Sequence, residues 1–490
     1  MKPSAFVENL RLKFPGGESL LFKDLSSSFY QGEKVLLLGP SGCGKSTLLQ
    51  VLTGIIPTSI EVPLKADHIQ TPPSWGYVFQ DPDTQFCMPY VDEEIAFVLE
   101  NLQVPRTEMP ERIHRHLGEV GLQLNDIHTN IQTLSGGMKQ RLAIASVMAL
   151  HPDVLFLDEP TAMLDPEGTK QIWETIKQVG KDKTVIIVEH KIDQVLDFVD
   201  RILLFNADGQ IIADGKKEAV LTNFKEELID QGIWYPEVWE DYLDRTNKQE
   251  PELLLEDKDT ILTLADFKGH RGKEMKIHVP EANVKQGEWI AVIGENGAGK
   301  STLLHALMQF IKTTGTYTVN QLPVNKSTKL TDYLTFVFQN PEFQFVTNSV
   351  YEEVAYTLRL DKQAESFIEQ RVAELLELFK LTNQKNQHPY QLSMGQKRRL
   401  SVAASIVKEQ SIMLLDEPTF GQDAKNTFAI LEMLEYWRQQ GTTIIMVTHS
   451  QEIVKHFVTR VWEIKSGCLV NDMPREKFTA AVEKPYASVM

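Results

Sequence analysis

Cysteine is scarce in this chain, long apolar runs are missing, and basic residues are outnumbered. Three cysteines, Cys43, Cys87 and Cys468, occur in 490 residues. They lie far apart, without the spacing of a metal site or a disulfide framework, and read as free thiols of a reducing compartment. No run approaches the ~18–20 apolar residues that span a bilayer. The opening MKPSAFVENLRLKF lacks the apolar stretch of a secretory signal. A soluble or peripheral protein is therefore expected, attached to any membrane through partners. Lys and Arg total 50 against 67 Asp and Glu, a formal charge of −17. That balance argues against sequence-independent binding of nucleic acid over a large surface. The apolar fraction of 42% excludes general disorder. The length exceeds what a single core holds, so two or more domains are expected.

Two stretches stand out against this background. GPSGCGKST comprises Gly39, Pro40, Ser41, Gly42, Cys43, Gly44, Lys45, Ser46 and Thr47. GENGAGKST comprises Gly294, Glu295, Asn296, Gly297, Ala298, Gly299, Lys300, Ser301 and Thr302. Each follows a short apolar run and precedes a helix-like one, the context in which G-x-x-x-x-G-K-[ST] forms a phosphate-binding loop. Glycines let successive N–H groups face phosphate oxygens, and the helix N-terminus adds partial positive charge. A chain of this length should show about 0.01 chance matches to the pattern, so two matches point to two nucleoside triphosphate sites. Lys45 and Lys300 are placed to reach the β- and γ-phosphates, and Ser46 and Ser301 to ligate Mg²⁺.

The remainder repeats as well. FQDPDTQF, after Val78, is echoed by FQNPEFQF after Val337; LSGGMKQR from Leu134 by LSMGQKRR from Leu392; and LFLDEPT by MLLDEPT. The offsets barely drift: 300 − 45 = 255 for the lysines, 393 − 135 = 258 for the serines and 417 − 159 = 258 for the glutamates. Repetition on this scale means two homologous domains. Their expected extents are 1–240 and 259–490, joined by an acidic linker over 241–258. The wider stretch from Gly215 to Asp259 carries Trp234, Tyr235, Trp239 and Tyr242, and its Glu250 to Asp259 portion reads as a solvated connector. Phe6 to Phe14 alternates like a half-buried strand, turned by Pro15-Gly16-Gly17, with Leu20 to Tyr30 as its antiparallel return. Apolar strands at Val154–Leu157, Val185–Val188 and Ile202–Phe205, with helical stretches expected between each pair, indicate an α/β fold with a mostly parallel sheet covered on both faces.

Asp158-Glu159 and Asp416-Glu417 end apolar strands, at the edge where open α/β sheets place ligands. The first carboxylate of each pair suits Mg²⁺; the second suits the attacking water. LSGGMKQR and LSMGQKRR resemble the signature motif of ATP-binding-cassette ATPases, and the resemblance spans both halves. It implies two tandem cassettes, each with an antiparallel β subdomain and a helical subdomain. It also implies Gln80 and Gln339 as Q-loop residues touching Mg²⁺ and the transport partner, Asp165 and Asp423 in D-loops, and His190 and His449 as switch histidines. In that family two cassettes close head to tail. One site would then use Lys45, Ser46, Asp158, Glu159 and His190 with Ser393 and Gly395. The other would use Lys300, Ser301, Asp416, Glu417 and His449 with Ser135 and Gly137. Phe14 resembles the aromatic that stacks on adenine, and Phe267 is the candidate counterpart. Met138 and Met394 depart from the usual LSGGQ, which leaves room for two sites of unequal rate.

The Q-loop stretches, followed by VDEEIAFVLEN and VYEEVAYTLR, resemble ATPases of energy-coupling-factor vitamin importers. That resemblance implies ATP and Mg²⁺ as cofactors, an integral membrane T component and a substrate-capture S component as partners, no nucleic acid, and a peripheral position on the cytoplasmic side of the cell membrane. It implies uptake of a vitamin or precursor, with thiamine or hydroxymethylpyrimidine as the example the fused length suggests. Two other tandem-cassette classes stay open. In fused monosaccharide importers the second cassette is commonly degraded, whereas this one is intact. Soluble translation factors carry a long basic linker, whereas this one is acidic and aromatic.

Overall fold

The computed structural model describes residues 3–15, 19–162, 164–246 and 258–483. The chain divides into two compact units, one of residues 1–238 with 423–425 and one of 239–422 with 426–490. Most of the expected acidic connector, the Gly16-Gly17 turn and the last seven residues lie outside the described residues.

In the first unit, Pro3–Leu12 pairs antiparallel with Phe22–Tyr30 and carries Leu64–Lys65 and His68–Gln70 on its other edge. A second sheet runs in the order Ile211–Lys216, Arg201–Phe205, Lys34–Leu38, Thr184–Val188, Val154–Asp158, Trp75–Val78. Its strands are parallel apart from Ile211–Lys216, which runs antiparallel at the edge. Every residue of Val154–Asp158 and Thr184–Val188 is buried, the reason these strands are apolar throughout instead of alternating. Helices Val91–Asn101, Met109–Glu119 and Gly136–Met148 form the helical part.

The second unit repeats the plan, with both sheet parts joined into ten strands through a parallel pairing of His278 with Cys468. Its parallel strands Trp289–Ile293, Thr443–Val447, Ile412–Asp416 and Leu334–Val337 follow the same order. The helices Val350–Leu360, Glu365–Leu378 and Met394–Ser405 match the first unit's three.

One expectation fails. Between Val188 and Arg201 there are turns instead of a helix, whereas Gln451–His456 is helical at the same place in the second unit. Ser450 caps that helix by accepting from the Ile453 N–H. Lys191 stands in its place in the first unit, and an ammonium group offers no acceptor for a helix N-terminus. Ile192, Val195 and Val199 are buried there nonetheless.

The aromatic stretch that opens the second unit also has a defined place. Val238–Thr246 is a helix. Tyr242 stacks on Phe428 with ring centroids 3.9 Å apart, and Trp239 meets the same ring edge-on at 4.9 Å. Both aromatics pack on the second unit's core beside Phe457.

Candidate active sites

Four side chains of the first site sit at carboxyl ends of neighbouring parallel strands. The register Leu37 to Val188, Asp158 to Val188 and Val78 to Leu157 levels those ends. Glu159, Gln80 and His190 follow those ends within two residues, and Lys45 opens the helix Lys45–Leu52 beyond the glycine-rich loop, at the edge where parallel sheets bind ligands.

The glycine-rich loop needs its glycines. Gly44 has φ +102°, and a Cβ there would lie 2.7 Å from the Phe22 ring. Gly299 repeats this conformation at φ +108°. Helix Lys45–Leu52 opens on Gly44 without a side-chain cap, so its first-turn amides, which have no intrahelical acceptors, suit an anion. Lys45 is buried, and its Nζ donates to the carbonyls of Gly39 at 2.7 Å and Pro40 at 2.9 Å. Lys300 does the same with Gly294 and Glu295 at 2.9 and 3.0 Å. A buried ammonium folded onto neutral carbonyls is chemically fitted to phosphate.

Beside it lie hard oxygen donors of the kind that hold Mg²⁺. Ser46 Oγ donates to Asp158 Oδ1 at 2.7 Å, and Tyr77 Oη donates to Asp158 Oδ2 at 2.8 Å. Ser301 Oγ donates to Asp416 Oδ1 at 3.0 Å. Burial pushes the Asp158 carboxyl up, opposed by the hydrogen bonds from Ser46 and Tyr77. Burial pushes Asp416 up to about 6, opposed by Ser301 and reinforced by Glu417.

The second acid of each pair is held by amide and imidazole. Glu159 accepts from Gln80 Nε2 at 2.8 Å, and its Oε1 lies 2.9 Å from His190 Nε2. Burial opposes ionisation of Glu159, but the hydrogen bond and charge of His190, with help from Lys45, hold its carboxyl below the ordinary value. The corresponding distances at Glu417 are 3.4 Å to Gln339 and 3.3 Å to His449. Both glutamates occupy left-handed backbone, at φ +47° and +49°. The Glu159 N–H still donates to the Val188 carbonyl at 2.9 Å, and Glu417 N–H to that of Val447 at 3.2 Å.

The signature residues lie on separate elements. Ser135 caps helix Gly136–Met148 by accepting from Met138 N–H, and Ser393 caps Met394–Ser405 through Gln396, which bonds back to the cap. Open space faces a Cβ at Gly137, whereas one at Gly395 would come within 2.9 Å of the Asn426 side-chain amide. Asp165 caps Pro166–Val179 through Gly168 N–H, and Asp423 precedes helix Ala424–Gln439. Phe14 is 42% exposed just past strand Pro3–Leu12. Phe267 is buried against Tyr317 and cannot offer a ring face to a base.

Several positioning contacts escaped sequence reasoning. Gln85 Nε2 donates to the Ala143 carbonyl and Gln344 Nε2 to that of Ser401, tying each Q-loop to its signature helix. Lys139 pairs with Asp83, and Lys397 with Glu342. Buried Glu94 accepts from the N–H groups of Cys87 and Met88, and Glu353 from those of Val346 and Thr347. Their signal was present, since each of these positions keeps its chemistry in both halves.

The ABC transporter family model matches residues 22–162 and 278–420. A Bacillus subtilis (strain 168) protein, provisionally named HMP/thiamine import ATP-binding protein YkoD, is 33% identical over 96% of this chain and 92% of its own length. A Streptococcus pneumoniae protein with the provisional name ABC transporter ATP-binding protein is 35% identical over 91% of this chain and 86% of its own. The solved structure of the archaeal ribosome recycling factor aABCE1, in complex with stalk protein aP1, superposes with TM-score 0.64 over 97% of this chain and 92% of that one. At 18% identity that likeness shows the fold alone. Two matched cassettes, each with phosphate loop, signature and strand-end carboxylates, make this chain a tandem ATP-binding protein of the ABC transporter family and an ATPase.

Proposed function

We propose that this ATPase is the energy-coupling subunit of an energy-coupling-factor importer. In this reading it lies at the cytoplasmic face of the membrane, bound to an integral T component and a substrate-capture S component. The cargo is a vitamin or precursor of the thiamine and hydroxymethylpyrimidine class. No helix among the described residues is long and apolar enough to cross a membrane, so attachment rests on partners. The observation that carries the reading is the apolar surface beside the second Q-loop. Phe343 is 76% and Val346 66% exposed within seven residues of Gln339, on a loop pinned from behind by Gln344 and Glu353. Large apolar side chains held open on a braced loop suit a docking partner. The name of the Bacillus relative supports the import role and the cargo class.

At each site the lysine binds the β- and γ-phosphates of ATP, with the loop amides around them. Ser46, Asp158 and Gln80, and Ser301, Asp416 and Gln339, are assigned to Mg²⁺, which when bound neutralises charge on the phosphate oxygens. Glu159 and Glu417 orient the attacking water and take its proton as the water oxygen bonds to the γ-phosphorus and the bond to the ADP oxygen breaks. His190 and His449 fix those carboxylates. Ser135, Gly137, Ser393 and Gly395 are assigned to the γ-phosphate and Phe14 to the adenine ring.

Affinity capture of the tagged chain from gently solubilised membranes, with mass spectrometry of what accompanies it, tests the assignment. Small polytopic membrane proteins are expected, and the S component then identifies the cargo. Ribosomal proteins, or a soluble partner alone, would overturn the importer reading.

A further inference from the structure

The two Mg²⁺-binding carboxylates are not held alike. Tyr77 pairs in register with Phe156, and Phe336 with Leu414, so the two aromatics occupy equivalent places beside the strands that end in Asp158 and Asp416. Tyr77 is 4% exposed, and its ring packs against Phe79 with centroids 4.5 Å apart. Its hydroxyl donates to Asp158 Oδ2 while Ser46 donates to Oδ1. Both oxygens are thereby fixed, and with them the rotation of the carboxylate. Phe336 has no hydroxyl, and its ring meets Phe338 and Phe310 edge-on at 4.6 and 5.5 Å. Asp416 has the Ser301 hydroxyl on Oδ1.

The second site meets its acids with a charge instead. Arg398, buried on the signature helix, donates from Nη1 to the Phe338 carbonyl at 2.9 Å, and its positive charge acts on Asp416 and Glu417. Gln140, also buried, stands in its place in the first unit. A hydrogen bond fixes direction; a charge on another element fixes only potential. The looser 3.4 and 3.3 Å contacts at Glu417, against 2.8 and 2.9 Å at Glu159, follow the same division.

We propose that Tyr77 is a positioning residue that preorganises Asp158 for the divalent cation, and that the second site, carrying Phe336, is built without it. The first site therefore takes the cation–nucleotide complex more tightly, because less carboxylate rotation is lost on binding. This inference rests on Asp158 and Asp416 being cation ligands, as assigned above.

The test counts free Mn²⁺ by electron paramagnetic resonance in the presence of a non-hydrolysable ATP analogue. Lys300→Ala isolates the first site and Lys45→Ala the second. Tyr77→Phe in the Lys300→Ala chain is expected to weaken Mn²⁺ binding about fivefold, the scale of one net hydrogen bond. Phe336→Tyr in the Lys45→Ala chain is expected to tighten it by a similar factor, a gain that a merely structural role would not produce. That second arm stands even if Tyr77→Phe fails to fold. Unchanged Mn²⁺ affinity in the Phe336→Tyr chain overturns the proposal. Asp158→Ala separates the two ways of failing. If it abolishes Mn²⁺ binding while Tyr77→Phe leaves it intact, the tyrosine has no positioning role. If Asp158→Ala itself leaves binding intact, the cation assignment falls, and the proposal with it.

Discussion

Glu189 precedes His190 at the first site and is 3% exposed. It accepts from Thr161 Oγ1 at 3.1 Å, two residues after Glu159, so it ties the loop behind the strand-end acids to the loop that carries His190. Burial, reinforced by the charge of Glu159 and opposed by His190 and the Thr161 hydroxyl, pushes its carboxyl from 4.5 up to about 7. The folded state thus holds this proton more tightly than the unfolded chain. Its contribution to stability is complete below pH 4.5 and is lost as pH rises to about 7. A difference of 7 − 4.5 = 2.5 units corresponds to about 3 kcal/mol at 1.36 kcal/mol per unit. Glu189→Gln removes the titration while keeping an acceptor for Thr161. Calorimetric unfolding of the nucleotide-free full chain at pH 5, 6, 7 and 8 should show the variant gaining on the parent by roughly 2 to 3 kcal/mol in total across that range, with the gain levelling off between pH 7 and 8. Stability curves that run parallel from pH 5 to 8 would refute the reasoning, for they would mean the carboxyl titrates alike in both states.

Lys45→Ala and Lys300→Ala should each remove one ATP site, seen as half the stoichiometry for a fluorescent ATP analogue; a double variant that still binds the analogue contradicts the phosphate-loop assignment. Glu94→Ala strips the acceptor from the Cys87 and Met88 amides and should cost about 2 kcal/mol, with faster hydrogen exchange at those two amides. Glu93→Ala, next to it, should stay within about 0.5 kcal/mol. Trp239→Ala removes a ring packed on Phe428 and Phe457 and should destabilise the second unit by about 2 kcal/mol; urea unfolding with an unchanged midpoint would show that the helix Val238–Thr246 only rests on its surface.

Legibility followed how local the cause was. Buried parallel strands announce themselves, because a strand covered on both faces must be apolar throughout, and the residues that follow Leu38, Val78, Leu157 and Val188 were placed at one sheet edge by that logic. The helix expected after Val188 does not form: Ile192, Val195 and Val199 are buried in a run of turns, and the cap that Ser450 gives the second unit's helix has no counterpart at Lys191. The burial of Phe267 depends on the strand it packs under, which its own neighbours in sequence do not state. Tyr77 carried no signal either. Its hydroxyl meets Asp158 only because Trp75–Val78 lies directly beside Val154–Asp158, a pairing between strands more than seventy residues apart in the sequence. Repetition carries further signal: Gln85 matches Gln344 and Glu94 matches Glu353 in the sequence itself, and each pair makes the same positioning contact in both units.

The left-handed backbone at Glu159 and Glu417 has a consequence for anyone selecting variants of this chain. A side chain other than glycine costs roughly 1 kcal/mol in that conformation, and each unit carries that cost at the residue assigned to the water. Glycine at either place would relax the backbone and silence the site in the same step. A screen that rewards heat resistance alone therefore has a short route to a hardy, inert protein, reached twice over by single codon changes from Glu to Gly. Selection for robustness in this chain has to be run with turnover as a second, simultaneous demand.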